Sequence, residues 1–84
     1  MAKITVYSTE PCSFCLRAKE LLTLRELPFE EINLAKDPVG RAELSRKTGL
    51  TTFPQIVIED VTIGGLDDLR AADESGKLSK ILTA

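Results

Sequence analysis

The sequence of 84 residues contains no histidine, no tryptophan and only two cysteines. A structural zinc site takes four ligands that are mainly cysteine and histidine, so this chain cannot complete such a site alone. The net charge at pH 7 is −2, with 11 basic and 13 acidic side chains mixed along the chain. Because no strongly basic patch results, we expect neither nucleic acid nor an anionic membrane surface among its partners.

Long apolar segments are absent as well. No run approaches the roughly 20 residues of a membrane-spanning helix, and no apolar stretch followed by a cleavage site stands at the N-terminus. These features predict a cytoplasmic protein. The apolar content of 43 % is enough for one small core, so residues 1–84 are expected to form a single domain.

The two cysteines stand two residues apart, in Cys12-Ser13-Phe14-Cys15. A crosslink across so short a loop removes little entropy from the unfolded chain and is a poor structural staple. In a reducing cytosol, paired cysteines are more often catalytic or metal-binding than permanently crosslinked. An inert buried pair is the alternative, since free cysteine also packs as a small apolar residue. We interpret the pair as reactive.

The pair lies between a predicted strand, Lys3–Tyr7, and a helix predicted from Ser13 to about Glu26. The apolar positions of this helix are Phe14, Ala18, Leu21, Leu22 and Leu24. If the helix begins near Cys12, its unpaired amide groups and the positive end of its dipole favour a thiolate there. Cysteines in such positions have pKa values of about 3.5 to 7.5 instead of roughly 8.5. Cys12 is therefore the candidate nucleophile, and Cys15 lies deeper and can close a disulfide.

The rest of the chain alternates between strand and helix patterns. The predicted strands are Phe29–Asn33, Gln55–Glu59 and Val61–Ile63, and the predicted helices run from Pro38 to about Thr48, Leu66 to Glu74 and Lys77 to Leu82. The first strand, helix and strand indicate a right-handed parallel crossover. The two-residue turn Glu59-Asp60 indicates an antiparallel hairpin. Asp37 is expected to cap the second helix and Gly49 to end it.

Two further motifs precede the last helices. Thr52-Phe53-Pro54 opens the strand with the longest β-branched run, and a cis bond before Pro54 would turn the backbone of Phe53 toward the sulfurs. Only about 5 to 6 % of X–Pro bonds are cis, so a plain strand-edge proline is the alternative. Gly64-Gly65 followed by Asp67-Asp68 is compatible by itself with an ordinary turn and helix start. The order of these motifs behind a Cys-x-x-Cys is more specific than any of them alone.

Three segments, Tyr7–Cys15, Thr51–Ile58 and Ile63–Leu69, together resemble the glutaredoxin family. The resemblance is to its small dithiol bacterial members and extends over essentially the whole chain. It implies an α/β fold of the thioredoxin-like type, with a four-stranded mixed sheet flanked by helices. It also implies a monomeric, glutathione-dependent thiol-disulfide oxidoreductase that reduces protein disulfides and glutathione mixed disulfides, served indirectly by the glutathione reductase system. Cys12 would be the nucleophile and Cys15 the resolving thiol.

The glutathione-binding residues implied by the resemblance are Arg41, Phe53, Pro54, Leu66 and Asp67. The backbone of Phe53, next to a cis Pro54, would pair with the cysteinyl part of glutathione. Leu66 through its amide, and Asp67 through its amide and side chain, would hold the γ-glutamyl end. Arg41 would meet the glycine carboxylate, and its alternative is a solvated charge on a helix.

Three departures from the family pattern stand out. Thr9 occupies a position where lysine is common, which removes a cation that would favour the Cys12 thiolate. Ser13 and Phe14 replace a common proline and tyrosine. Phe53 replaces a smaller valine and is expected to narrow the site that would bind glutathione. Loss of that proline also occurs in relatives that hold a glutathione-ligated [2Fe-2S] cluster in a dimer, so a cluster carrier is the alternative function. A redoxin served by thioredoxin reductase is a third hypothesis, disfavoured by the Gly-Gly-x-Asp-Asp segment and by Arg41.

Overall fold

A computed structural model describes residues 3–83 of the chain. Within that range the strands are β1 (Ile4–Ser8), β2 (Glu30–Asn33), β3 (Gln55–Ile58) and β4 (Val61–Gly64). The helices are α1 (Ser13–Leu24), α2 (Pro38–Thr48), α3 (Leu66–Ser75) and α4 (Lys77–Thr83). Every predicted element is present, and the predicted ends differ from the observed ones by no more than one or two residues.

The four strands form one mixed sheet in the order β2-β1-β3-β4. β1 pairs with β2 in parallel, while β3 pairs with both β1 and β4 in the antiparallel direction. Ile58 lies opposite Val61, so the hairpin turns on two residues, the first of which is Glu59 with a φ of 53°. The predicted mixed sheet, the parallel first pair and the antiparallel hairpin are confirmed.

The core lies between this sheet and the helices α1, α3 and α4. Alternate residues of β1, Ile4 and Val6, are buried, as are Ile56 and Ile58 of β3. Side chains of this size each contribute about 1.5–3 kcal/mol of transfer free energy when they leave water. The central strands therefore supply the sheet side of the core.

Helix α1 buries a narrower stripe than its sequence predicts. Its buried residues are Cys15, Ala18 and Leu22, spaced three and four apart along one face of the helix. Phe14 is 55 % exposed and Leu24 is 72 % exposed. Their assignment to the apolar face was wrong, because both lie off the stripe that faces the sheet. Phe14 instead borders the candidate site described below.

Helix ends are capped by side chains and glycines. The Asp37 carboxylate accepts a hydrogen bond from the Gly40 amide at 2.9 Å, and Gly49 ends α2 with a φ of 77°. Both predicted caps of α2 are confirmed. At α3, the Asp68 carboxylate accepts from the Gly65 amide at 3.0 Å, which fixes the chain reversal between β4 and the helix. No helix in the described range is long and apolar enough to cross a bilayer.

Candidate active site

The two cysteines lie at the start of α1, directly after β1. Cys12 is the N-cap residue and Cys15 lies in the first turn; a disulfide joins them, with their Cα atoms 5.3 Å apart. Cys12 is half-buried, whereas Cys15 is only 2 % exposed. The predicted positions of both residues, one accessible at the helix start and one deeper, are confirmed.

The sulfur of Cys12 faces the positive end of α1. The amide of Cys15 donates a hydrogen bond to the Cys12 Sγ at 3.1 Å. Once the disulfide is reduced, an amide donor and the helix dipole both favour a thiolate over a thiol at this position. The local geometry thus supports a nucleophilic sulfur at Cys12 without any cationic side chain at position 9.

The cysteine pair opens into a polar cavity of about 390 Å³, which we call the cysteine cavity. Its walls include Ser8, Glu10, Cys12, Cys15, Lys19 and Glu31. The carboxylate Oε2 of Glu31 accepts hydrogen bonds from the Ser8 hydroxyl at 2.7 Å and from the Lys19 ammonium at 2.9 Å. The Ser8 hydroxyl, and after it the Lys19 ammonium, hold the pKa of Glu31 below its ordinary value. Sequence reasoning missed this cluster, because its members come from β1, α1 and β2.

A second depression, of about 430 Å³, lies beside Pro54 and is called the groove here. Its walls include Phe14, Phe53, Pro54, Leu66, Asp67 and Arg70. It contains four of the five residues that the resemblance implies for glutathione. The peptide bond between Phe53 and Pro54 is cis, as predicted, and a second cis bond between Glu10 and Pro11 was not predicted.

The groove and the cysteine cavity share no wall residue, although Phe14, from between the two cysteines, belongs to the groove. The exposed ring of Phe14 is therefore the element through which the cysteine loop meets the groove. Leu66 is 6 % exposed and begins α3, while Asp67 in the first turn of that helix is exposed. The positive end of α3 thus faces this side of the site.

Arg41 does not line the groove, unlike the other four predicted residues. It lines a smaller cavity of about 240 Å³, which shares Leu50 and Phe53 with the groove. Its Nη1 donates to the carbonyl oxygen of Ala35 at 2.9 Å and also to that of Leu34. The guanidinium therefore ties α2 to the loop before it, and its contact with a substrate carboxylate stays a prediction.

Gln55 is a site-forming residue that sequence reasoning missed. Its side chain is 1 % exposed, and its Oε1 accepts from the Thr48 hydroxyl at 2.8 Å. Its Nε2 donates to the carbonyl oxygens of Leu50 at 3.2 Å and Thr52 at 3.0 Å. These bonds hold the segment that leads into the cis proline. A polar residue at the head of an otherwise apolar β-branched strand was the signal available in the sequence.

The residues described by the structure contain no group of three or more His, Cys, Asp or Glu side chains arranged to hold a metal ion.

Comparison with known proteins places this geometry in a family. The family model described as Glutaredoxin matches residues 4–63. The chain is 45 % identical over 84 residues to a protein named Glutaredoxin from Pseudomonas aeruginosa, and the match covers 100 % of both chains. It is 40 % identical over 82 residues to Glutaredoxin 3 of Escherichia coli K12, covering 98 % of this chain and 99 % of the relative.

Solved structures give the same result. A buckwheat glutaredoxin-glutathione complex superimposes with a TM-score of 0.87 at 30 % identity, over 98 % of this chain and 77 % of that chain. The solution structure of a glutaredoxin from Brucella melitensis superimposes with a TM-score of 0.85 at 41 % identity, over 98 % of this chain and 89 % of that chain.

Proposed function

The chain belongs to the glutaredoxin family of thiol-disulfide oxidoreductases, and from that premise we propose that glutathione is both its substrate and its reductant. The observation that carries the proposal is the groove beside the cis Phe53–Pro54 bond, bordered by Leu66 and Asp67 and meeting the cysteine loop at Phe14. A groove of this form suits an extended peptide, and the helix N-terminus beside it suits an anionic group.

The γ-glutamyl end of glutathione carries an ammonium and a carboxylate close together. We assign the carboxylate to the backbone amides of Leu66 and Asp67 at the start of α3, and the ammonium to the Asp67 side chain. The backbone of Phe53 pairs with the cysteinyl part of the tripeptide, whose sulfur then points toward Cys12. Arg41 is proposed for the glycine carboxylate.

In the first step, the Cys12 thiolate attacks the glutathionyl sulfur of a mixed disulfide. A bond forms between Cys12 and that sulfur, the bond between glutathione and the substrate thiol breaks, and the substrate leaves as a thiolate that takes up a proton. The amide of Cys15, which donates to Cys12 Sγ, stabilises the attacking charge.

The glutathionyl group is removed from Cys12 by one of two routes. A second glutathione thiolate attacks the bound glutathionyl sulfur, which forms oxidised glutathione and regenerates the Cys12 thiolate. Alternatively, the Cys15 thiolate attacks the Cys12 sulfur, expels glutathione and closes the disulfide seen here. Two further glutathione molecules then reduce that disulfide, becoming oxidised glutathione.

The test is turnover of a mixed disulfide between glutathione and a small thiol, compared with turnover of the symmetric disulfide of that small thiol. Glutathione dependence requires the glutathionyl substrate to be turned over far faster. Cys12→Ser should abolish both activities, whereas Cys15→Ser should retain deglutathionylation and lose reduction of protein disulfides. Retained turnover in Cys12→Ser would refute the assigned nucleophile. Efficient reduction of the oxidised protein by thioredoxin reductase but not by glutathione would refute the proposed reductant.

We further propose that the protein acts as a cytoplasmic monomer. Anaerobic incubation with iron, sulfide and glutathione, followed by size-exclusion chromatography, is expected to leave a colourless monomer. A coloured dimer would instead support a glutathione-ligated [2Fe-2S] cluster carrier, in which each chain supplies its Cys12 thiolate.

A further inference from the structure

The cysteine cavity contains an ion pair that the proposed mechanism does not use. Lys19 Nζ lies 2.9 Å from Glu31 Oε2, and the two side chains are 28 % and 34 % exposed. The hydroxyl of Ser8, a residue only 1 % exposed, donates to the same carboxylate oxygen at 2.7 Å. Two hydrogen bonds thus hold the carboxylate in place. Glu31 lines the cysteine cavity together with Cys12 and Cys15.

Helix geometry and a shared cavity place Lys19 on the same side of α1 as the buried cysteine. Lys19 follows Cys15 by four residues on α1, so the two side chains lie on one face of the helix. Because side chains on a helix lean toward its N-terminus, the stem of Lys19 runs back over the turn that carries Cys15. The positive charge of Lys19 therefore lies on the cysteine side of its helix.

Charged groups facing the cavity come from three elements. Lys19 comes from α1, Glu31 from β2 and Glu10 from the loop between β1 and α1; Glu10 accepts a hydrogen bond from Asn33 at 2.9 Å. Arg17 and Glu20, also on α1, are exposed and do not line the cavity. Lys19 is thus the only cation among the cavity's wall residues in the described range, and Thr9, another wall residue, supplies none.

We propose that the Lys19–Glu31 pair sets the acidity of the cysteine pair, with its two charges acting in opposite directions. Lys19 favours the cysteine thiolates and Glu31 disfavours them, while Ser8 fixes the carboxylate so that the two effects nearly balance. The inference deepens the proposed function, since it concerns the same sulfurs, but it rests only on their thiol-disulfide chemistry and not on glutathione.

Removing one charge at a time gives shifts of opposite sign. Lys19→Met leaves the Glu31 charge uncompensated beside the sulfurs, which raises the pKa of the Cys12 thiol and favours the disulfide. Glu31→Gln leaves the Lys19 charge uncompensated, which lowers that pKa and stabilises the reduced form, making the protein more oxidising. The double variant removes both charges and returns close to the unmodified protein.

The acidity of Cys12 is measured by the rate of iodoacetamide alkylation against pH, in a Cys15→Ser background. We expect the ionisation constant to fall about threefold in Lys19→Met and to rise about threefold in Glu31→Gln, as for one partly screened charge near a solvent-accessible site. The equilibrium with a dithiol reagent, which breaks the Cys12–Cys15 bond and forms the reagent's own disulfide, should shift by similar factors in the two-cysteine protein. Lys19→Arg keeps the charge and should restore the original values.

A matched control lies at the other end of the same two strands. Lys3 Nζ and Glu30 Oε2 are also 2.9 Å apart, but their side chains are 65 % and 52 % exposed and lie at the end of β1 away from the cysteine loop. Lys3→Met and Glu30→Gln should leave both readouts unchanged. Shifts of the same sign in Lys19→Met and Glu31→Gln, or no shift in either, would overturn the inference. Neither result would bear on glutathione turnover, which is measured separately.

Discussion

The hydroxyl of Thr48 donates a hydrogen bond to the side-chain carbonyl of Gln55, with the two oxygens 2.8 Å apart. Thr48 ends α2 and Gln55 begins β3, so this bond closes the loop that carries the cis proline. The Gln55 amide also donates to Leu50 and Thr52. A buried side chain that was not among the predicted ligand positions thus holds the loop that forms one wall of the groove.

Gln55→Leu should damage both stability and substrate binding. The substitution keeps the volume but leaves the carbonyls of Leu50 and Thr52 without their buried donor, which we expect to cost about 2–4 kcal/mol of unfolding free energy. Urea unfolding measures this cost. The KM for a glutathionyl substrate should rise more than kcat falls, because the loop positions the groove and not the sulfurs.

Thr48→Val is the comparison for this substitution. It removes the hydroxyl that donates to Gln55 Oε1 or to the Leu44 carbonyl oxygen and that accepts from the Leu50 amide. It keeps the Gln55 donor to the loop carbonyls, so it should cost less than Gln55→Leu, about 1–2 kcal/mol. An equal loss of unfolding free energy in both variants would show that the bonds from Gln55 Nε2 to the loop carbonyls add no stability.

Substitutions of the neighbouring residues Asp67 and Asp68 should have different effects. The Asp68 carboxylate accepts from the Gly65 amide at 3.0 Å, so Asp68→Ala removes a helix cap and should cost about 1 kcal/mol of unfolding free energy. Asp67 is exposed and lines the groove, so Asp67→Ala should leave stability within about 0.5 kcal/mol while raising the KM for glutathionyl substrates.

A substrate analogue without the γ-glutamyl amino group tests whether Asp67 acts by pairing with the ammonium of the substrate. The original protein should lose affinity for this analogue, and Asp67→Ala should lose nothing further, because the two changes remove the same ion pair. If the two losses of affinity add, Asp67 does not act through the γ-glutamyl ammonium.

Arg41→Gln tests the residue that the structure leaves apart from the groove. If its guanidinium reaches the glycine carboxylate, the KM for a glutathionyl substrate rises about tenfold, and amidation of the glycine carboxylate adds no further loss in the variant. Thermal unfolding should also reveal the lost bonds to Leu34 and Ala35. Arg46→Gln, an exposed arginine on the same helix, is the control and should change neither quantity. A change in melting temperature without a change in KM would assign Arg41 a structural role alone.

The Glu31 carboxylate should make a pH-dependent contribution to stability. Its folded pKa is lowered from an ordinary value of 4.5, so its contribution is fully present above that pH and is lost as the pH falls through the folded pKa. After allowance for solvent screening we expect about 0.5 kcal/mol. The difference in unfolding free energy between the original protein and Glu31→Gln should be present at pH 7 and shrink toward pH 3.

Glu30→Gln, on the same strand, controls for the loss of one negative charge from β2. A difference between the original protein and Glu31→Gln that stays constant from pH 7 to pH 3 would contradict an ionised, hydrogen-bonded Glu31.

Local features of this protein were predictable because short stretches of sequence encode them. The alternation in Ile4–Ser8 and the caps Asp37 and Gly49 depend on near neighbours only. The same holds for the start of a helix next to Cys12, its N-cap residue. The motif around Pro54 added long-range information, since its resemblance to a family implied a groove that four of five named residues do form.

The tertiary structure decided the contacts between elements that are distant in the sequence. Ser8, Lys19 and Glu31 meet because β2 pairs in parallel with β1 and α1 crosses between them, which no periodicity in any one segment reveals. The exposure of Phe14 and the engagement of Arg41 with backbone carbonyls were likewise beyond prediction. Side-chain partners across a fold depend on strand order, register and the turn at which each helix meets the sheet, and these are set by the packing of the whole chain.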